Sequence, residues 1–119
     1  YLVYACVLGH RLREGSRGPD RVLLCGPGRL CEDPAAREAL RVSGWTHLVP
    51  VAAIEAAHLD KSGSKRHALV FTKLRALELP YVSVLLLDLD LLPRHGVDLG
   101  GLLSVPAPAA KYHCAKHPG

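Results

Sequence analysis

Two aspartates, Asp88 and Asp90, stand either side of Leu89, directly after the apolar run at 82–87. In a β-strand, side chains at i and i+2 point to the same side. If the strand reaches Asp90, both carboxylates lie on one face at its carboxyl end, the edge where open α/β sheets bind ligands. Two acids that close oppose each other's ionisation unless a cation sits between them. Mg²⁺ and Mn²⁺ are hard ions that take such oxygen ligands, commonly together with substrate phosphates. The ordinary alternative is that one Asp caps the following turn and the other is solvated. Lys73 lies upstream within Phe71-Thr72-Lys73-Leu74-Arg75. A helix that leads straight into a strand packs beside it, so Lys73 can face a diphosphate at the same edge; a surface lysine on an amphipathic helix is the other reading. Arg66 has the same two readings. His113 and His117, with Cys114 between them, have a spacing that suggests a metal site, but Pro118 and Gly119 oppose a helix there. His58, Asp60 and His67 have no partner at ligand spacing, and Ser16, Ser43 and Ser62 lack the strand–turn–helix context of a nucleophile elbow.

The elements that must position these groups follow from hydrophobic pattern and punctuation. Residues 2–13 predict a helix with one buried side, and 15–20 a Gly- and Pro-marked loop. The run at 21–25, ended by Gly26-Pro27-Gly28, predicts a buried strand. Asp33 as N-cap and Pro34 at the first helical position open a helix that runs to about Val42 and stops at Ser43-Gly44. A second strand is expected over 46–51, weakened at its end by Pro50. Residues 55–65 are polar and connect to a helix that resumes near Ala68 and is ended by Pro80. The run at 82–87 predicts a central strand buried on both faces. The alternation α, β, α, β, α, β predicts an α/β fold with a parallel sheet covered by helices.

The chain has 119 residues, enough for one domain, and 49% apolar residues, enough for a core. Aromatic residues make up only 5%, so the core is expected to be aliphatic, built from Leu, Val and Ala. The net charge of +4 is scattered, with no basic cluster interleaved with aromatics, so nucleic acid is not expected as a partner. A modest positive bias suits a diphosphate-bearing ligand. No stretch has the ~20 apolar residues of a membrane span. Cys6 and Cys25 sit in apolar runs and read as small buried thiols; a core this large needs no disulfide staples, which favours a reducing, cytoplasmic compartment. The sequence begins inside a helical pattern at Tyr1 and ends on Pro118-Gly119, so both ends read as cuts, and a lost leader or anchor would make the Golgi an alternative.

The segment from Phe71-Thr72-Lys73-Leu74-Arg75-Ala76-Leu77-Glu78-Leu79 through the apolar run to Asp88-Leu89-Asp90-Leu91-Leu92 resembles glycosyltransferase family 8, which includes glycogenin, galactinol synthase and plant glucuronosyltransferases. The family pattern is roughly [TS]-K-[LF]-x-x-[WF]-x-L, a hydrophobic strand, then D-A-D or D-G-D. Val7-Leu8-Gly9-His10-Arg11-Leu12-Arg13 looks like its first helix, Pro19-Asp20-Arg21-Val22-Leu23-Leu24 like its second strand, and Val97-Asp98-Leu99 with Pro106-Ala107-Pro108-Ala109-Ala110 like the segment after the acids. The ordered set spans nearly the whole chain.

The resemblance implies a GT-A type, Rossmann-like nucleotide-diphospho-sugar transferase fold, here a single partial nucleotide-sugar-binding domain over 1–119, incomplete at both ends. It implies retaining transfer of a hexosyl group from a UDP-sugar to a carbohydrate, polyol or protein acceptor, with Mn²⁺ or Mg²⁺. Carried over residue by residue, Asp90 would ligate the metal, Asp88 the metal and the donor ribose, and the Leu89 backbone would lie near the ribose. Lys73 would reach the donor sugar or its phosphates, and Arg66 the nucleotide. The sequence departs from the pattern at Leu89, where Ala or Gly is usual, at Leu77, where an aromatic is usual, and at Pro93-Arg94-His95-Gly96. The family's first strand, its downstream metal-ligating His and its acidic residue near the reacting centre have no counterpart, so this chain alone is expected to be inactive. Two other classes share the acids. A haloacid dehalogenase-like phosphatase would use Asp88 as nucleophile and Asp90 as acid/base, with Leu92 where Thr or Val is expected. A catalytically degenerate binding domain would keep the fold and lose the chemistry.

Overall fold

The structure, a computed structural model, describes residues 1–15, 18–54, 70–106 and 108. Its frame is α1 (Leu2–Gly15), β1 (Val22–Cys25), α2 (Pro34–Ser43) and β2 (His47–Pro50), followed by a 3-10 helix at Val70–Glu78 and another at Gly100–Ser104. This is an α/β arrangement around a two-stranded parallel sheet, in the register Val22↔His47 to Cys25↔Pro50.

Helix α2 begins and ends where the local chemistry dictates. The Asp33 carboxylate accepts from the Ala36 backbone N–H at 3.1 Å, and Pro34 occupies the first turn, where its missing N–H costs nothing. Gly44 closes the helix at φ 127°, a conformation open to glycine and strained for a side chain. Removing the cap with Asp33→Ala is expected to lower stability by about 1 kcal/mol, read as a shifted urea midpoint with an unchanged slope.

Pro50 is tolerated in β2 for a reason visible in the ladder. Arg21 C=O accepts from His47 N–H and Cys25 C=O accepts from Val51 N–H. Parallel strands alternate which residues face the partner. Pro50 therefore falls on a position whose N–H would point away from β1.

Ala5 and Leu8 of α1, Leu23 and Cys25 of β1, Leu40 of α2 and Trp45 form one core cluster. Trp45 follows the α2 stop and donates its indole N–H to Ala5 C=O at 2.9 Å, so its polar edge is satisfied inside the core. Gly9 makes room for it: a Cβ there would lie 2.7 Å from Trp45 Nε1. The core is thus not wholly aliphatic. The one tryptophan sits in it, while Val3, Val7 and Val42 face solvent.

Three expectations are corrected. Residues 82–87 form no strand. They run extended, with Val82, Val84, Leu85 and Leu86 exposed, because a cavity separates them from β1 and no partner stands at strand spacing among the described residues. The segment before Pro80 is a nine-residue 3-10 helix, Val70–Glu78, rather than an α-helix; 3-10 runs of that length are uncommon. Finally, Cys25 is not a free thiol. It is bonded to Cys31 across the loop that follows β1, with the Cα atoms 6.0 Å apart. That bond removes the ground for expecting a reducing compartment. Closing so short a loop is worth about 2 kcal/mol in the chain-entropy account, so reduction should lower the unfolding free energy by about that much. Cys6 stays free and half-buried.

Candidate functional site

The 3-10 helix Val70–Glu78 is tied to the chain that leaves β2. Ile54 N–H donates to Thr72 Oγ1 at 3.1 Å, Arg75 Nε donates to Ala52 C=O at 3.2 Å, and Ala76 is buried beneath it. With Thr72, Arg75 and Ala76 so engaged, Lys73 projects to solvent, and its Nζ lies 3.3 Å from Asp88 Oδ1. Two of the residues singled out from sequence are therefore in direct contact across fifteen positions. Both side chains are exposed, at 45% and 61%. An ion pair in that setting contributes about 0–1 kcal/mol, so the fold does not depend on it, and the pair is open to exchange with solutes.

The chain turns where the second acid stands. Leu91 N–H donates to Asp88 C=O at 3.1 Å, which places Leu89 and Asp90 at the centre of a turn. The expectation that a continuing strand would set both carboxylates on one face is not met, because the strand alternation does not extend through this turn. Asp90 is exposed, and Leu89 packs inward against the core cluster. Its bulk is thus spent on the core rather than over the acids. Leu89→Ala should lower stability by about 1–2 kcal/mol, less than for a fully buried leucine, in a thermal melt.

The donor chemistry suits a hard divalent ion. Two carboxylates share one exposed turn, and one of them already holds a cationic group, the Lys73 ammonium. Among the described residues no third His, Cys, Asp or Glu joins them, so water and phosphate oxygens would complete an octahedral shell. Arg66, His58, Asp60, His67, His113, Cys114 and His117 lie outside the described residues.

Lys73, Asp88 and Leu89 line a cavity of about 580 Å³ whose other walls include Val22 and Leu24 of β1 and Leu85 to Leu87. Asp20 and Tyr81 also line it, and the Tyr81 hydroxyl donates to Asp20 Oδ2 at 2.9 Å. His47 Nε2 lies 3.6 Å from the same oxygen. Sequence reading passed over this contact. The available signal was positional: Asp20 and Tyr81 stand just before the apolar runs at 21–25 and 82–87. The hydrogen bond to Asp20 holds the Tyr81 phenol above its ordinary value of 10.0. A raised folded-state value means that the contact's contribution to stability is fully present below 10.0 and is lost as pH climbs from there through the raised value. An NMR titration of the Tyr81 ring carbons should show it ionising above 10.0 and returning toward 10.0 in Asp20→Asn.

No helix among the described residues is long and apolar enough to cross a membrane. No family model matches the chain, and neither a curated protein nor a solved structure matches it.

Proposed function

We propose that the chain is the nucleotide-sugar-binding part of a metal-dependent retaining hexosyltransferase of the GT-A, Rossmann-like type, with a UDP-sugar as donor. The observation that carries this reading is the contact between Lys73 and Asp88, 3.3 Å apart beside an exposed turn that also holds Asp90. A cation-binding acid pair with a lysine alongside is what a diphosphate and its counter-ion require at one place. It agrees with the ordered resemblance to glycosyltransferase family 8, in which these same positions hold the donor.

In this reading Asp88 and Asp90 hold Mn²⁺ or Mg²⁺ through their carboxylates. When bound, such an ion neutralises charge on a departing diphosphate. The Lys73 ammonium leaves Asp88 for a donor phosphate oxygen, as a mobile point charge on a flexible stem can. The Asp88–Leu91 turn fixes the backbone at Leu89 while its side chain anchors the turn to the core.

Loss of the free hexaaqua Mn²⁺ signal in electron paramagnetic resonance tests the metal half directly. The chain should deplete that signal, more strongly with UDP present, and Asp90→Ala should restore it. An unchanged signal with the native chain and UDP would sink the reading.

A further inference from the structure

The Cys25–Cys31 bond closes the loop at the carboxyl end of β1, and the elements on either side are anchored without it. Cys25 ends β1 opposite Pro50, and its C=O accepts from Val51 N–H just past β2. Cys31 stands shortly before α2, which is fixed by the Asp33 cap, the Gly44 stop and the buried Ala36 and Leu40. Between the two sulfurs, Gly26, Pro27, Gly28 and Leu30 are exposed, as is Glu32 beyond them. Their side chains bury little surface that would hold the loop down, so the bond supplies that hold. Gly28 sits at φ 143°, a region glycine enters freely, and it regains wide backbone freedom once the tie is cut.

The two cysteines differ in setting. Cys25 is 6% exposed and belongs to the core cluster, whereas Cys31 is half-buried and packs at the edge of that cluster. A reducing thiolate attacks the sulfur it can reach, here that of Cys31, and accessible disulfides are the labile ones. The core also suits the reduced state. Leu23 C=O lies 3.7 Å from Cys25 Sγ, so the S–H that reduction creates finds an acceptor without leaving the cluster. A small buried thiol is an ordinary core residue. Disulfide and thiol therefore both fit at Cys25.

We infer that Cys25 and Cys31 form a reversible redox latch, opened by a dithiol reductant, which frees residues 26–32 while β1, β2 and α2 keep their places. One thiolate of the reductant attacks Cys31 Sγ, the Cys25–Cys31 bond breaks, and Cys25 leaves as a thiolate that takes up a proton in the core. The second thiolate of the reductant attacks its own sulfur in the mixed disulfide and releases Cys31, which is protonated in turn. The chain gains two electrons and two protons, and the reductant departs as a disulfide. The oxidised form of the same reductant reverses these steps and closes the latch. The latch shares no residue with the Lys73–Asp88 contact, so the donor site and the latch stand or fall separately.

The test is NMR relaxation of the backbone amides in the whole chain, before and after dithiothreitol, with mass mapping to establish that Cys25 and Cys31 are reduced. Order parameters over residues 28–32 should fall from the rigid range, about 0.85, to below about 0.6. Those of Ala36, Leu40 and Val51 should hold, as should the Trp45 indole N–H resonance, which reports the core through its bond to Ala5 C=O. Cys31→Ser should match the reduced chain with no reductant present. A bond that resists millimolar dithiothreitol in the folded chain would overturn the inference, as would unchanged order parameters in the reduced loop. Collapse of the Trp45 resonance to its unfolded position on reduction, or a Cys31→Ser chain that does not fold, would overturn it too, by showing a staple on which the whole fold depends.

Discussion

Replacing Gly44 with alanine should cost the chain about 2–5 kcal/mol, the largest single-residue effect expected outside the core leucines. Two separate costs combine. A side chain at φ 127° carries strain of about 1–3 kcal/mol. The added Cβ would also lie 2.7 Å from Gly9 C=O, which is backbone and cannot swing aside, and overpacking of that kind costs about 1–3 kcal/mol. Gly9→Ala is the informative companion, because two effects compete there. Alanine gains about 1 kcal/mol of helix propensity within α1, yet its Cβ would lie 2.7 Å from Trp45 Nε1. Packing should win, and the variant should be less stable in urea. A Gly9→Ala chain more stable than the native one would mean that α1 does not approach Trp45 this closely.

The second large effect concerns binding. Asp90→Ala should weaken Mn²⁺-dependent UDP binding by about a hundredfold, since a charged ligand contact is lost outright. Lys73→Ala should weaken it by about tenfold, the scale of one charge-assisted hydrogen bond to phosphate. The Lys73 variant should also bind Mn²⁺ alone at least as well as the native chain, because the ammonium that competes for Asp88 is gone. Those opposite signs separate a donor-binding lysine from one that only decorates the surface. Neither change should move the melting temperature by much, given the exposure of the pair.

Much of the frame was legible because its signals are local. Asp33, Pro34 and Gly44 announce α2 through capping chemistry that needs no tertiary partner. The β1 and β2 runs are short and apolar between turn residues, and they pair in parallel as the alternation of elements implies. What stayed hidden depends on distant groups. Residues 82–87 carry the strongest strand pattern in the chain, yet a strand exists only where a neighbour takes its peptide groups, and a cavity stands there instead. The Cys25–Cys31 bond depends on the turn after β1 bringing the two Cα atoms to 6.0 Å, which spacing alone does not reveal. Trp45 looked incidental in composition because nothing local records that Gly9 leaves space for it. Of the candidate site, the residue types were readable, and the Lys73–Asp88 contact agrees with reading them together. The turn at Asp88 that separates Asp90 from a strand face was not, since it depends on a single hydrogen bond to Leu91.

The most direct test of the central claim is calorimetric titration of UDP into the chain, with and without Mn²⁺, beside an Asp88→Ala/Asp90→Ala double variant. The account predicts heat of binding in the native chain only when Mn²⁺ is present, and none in the double variant. Native chain that ignores millimolar UDP with Mn²⁺ present, or a double variant that binds it equally well, would contradict the account.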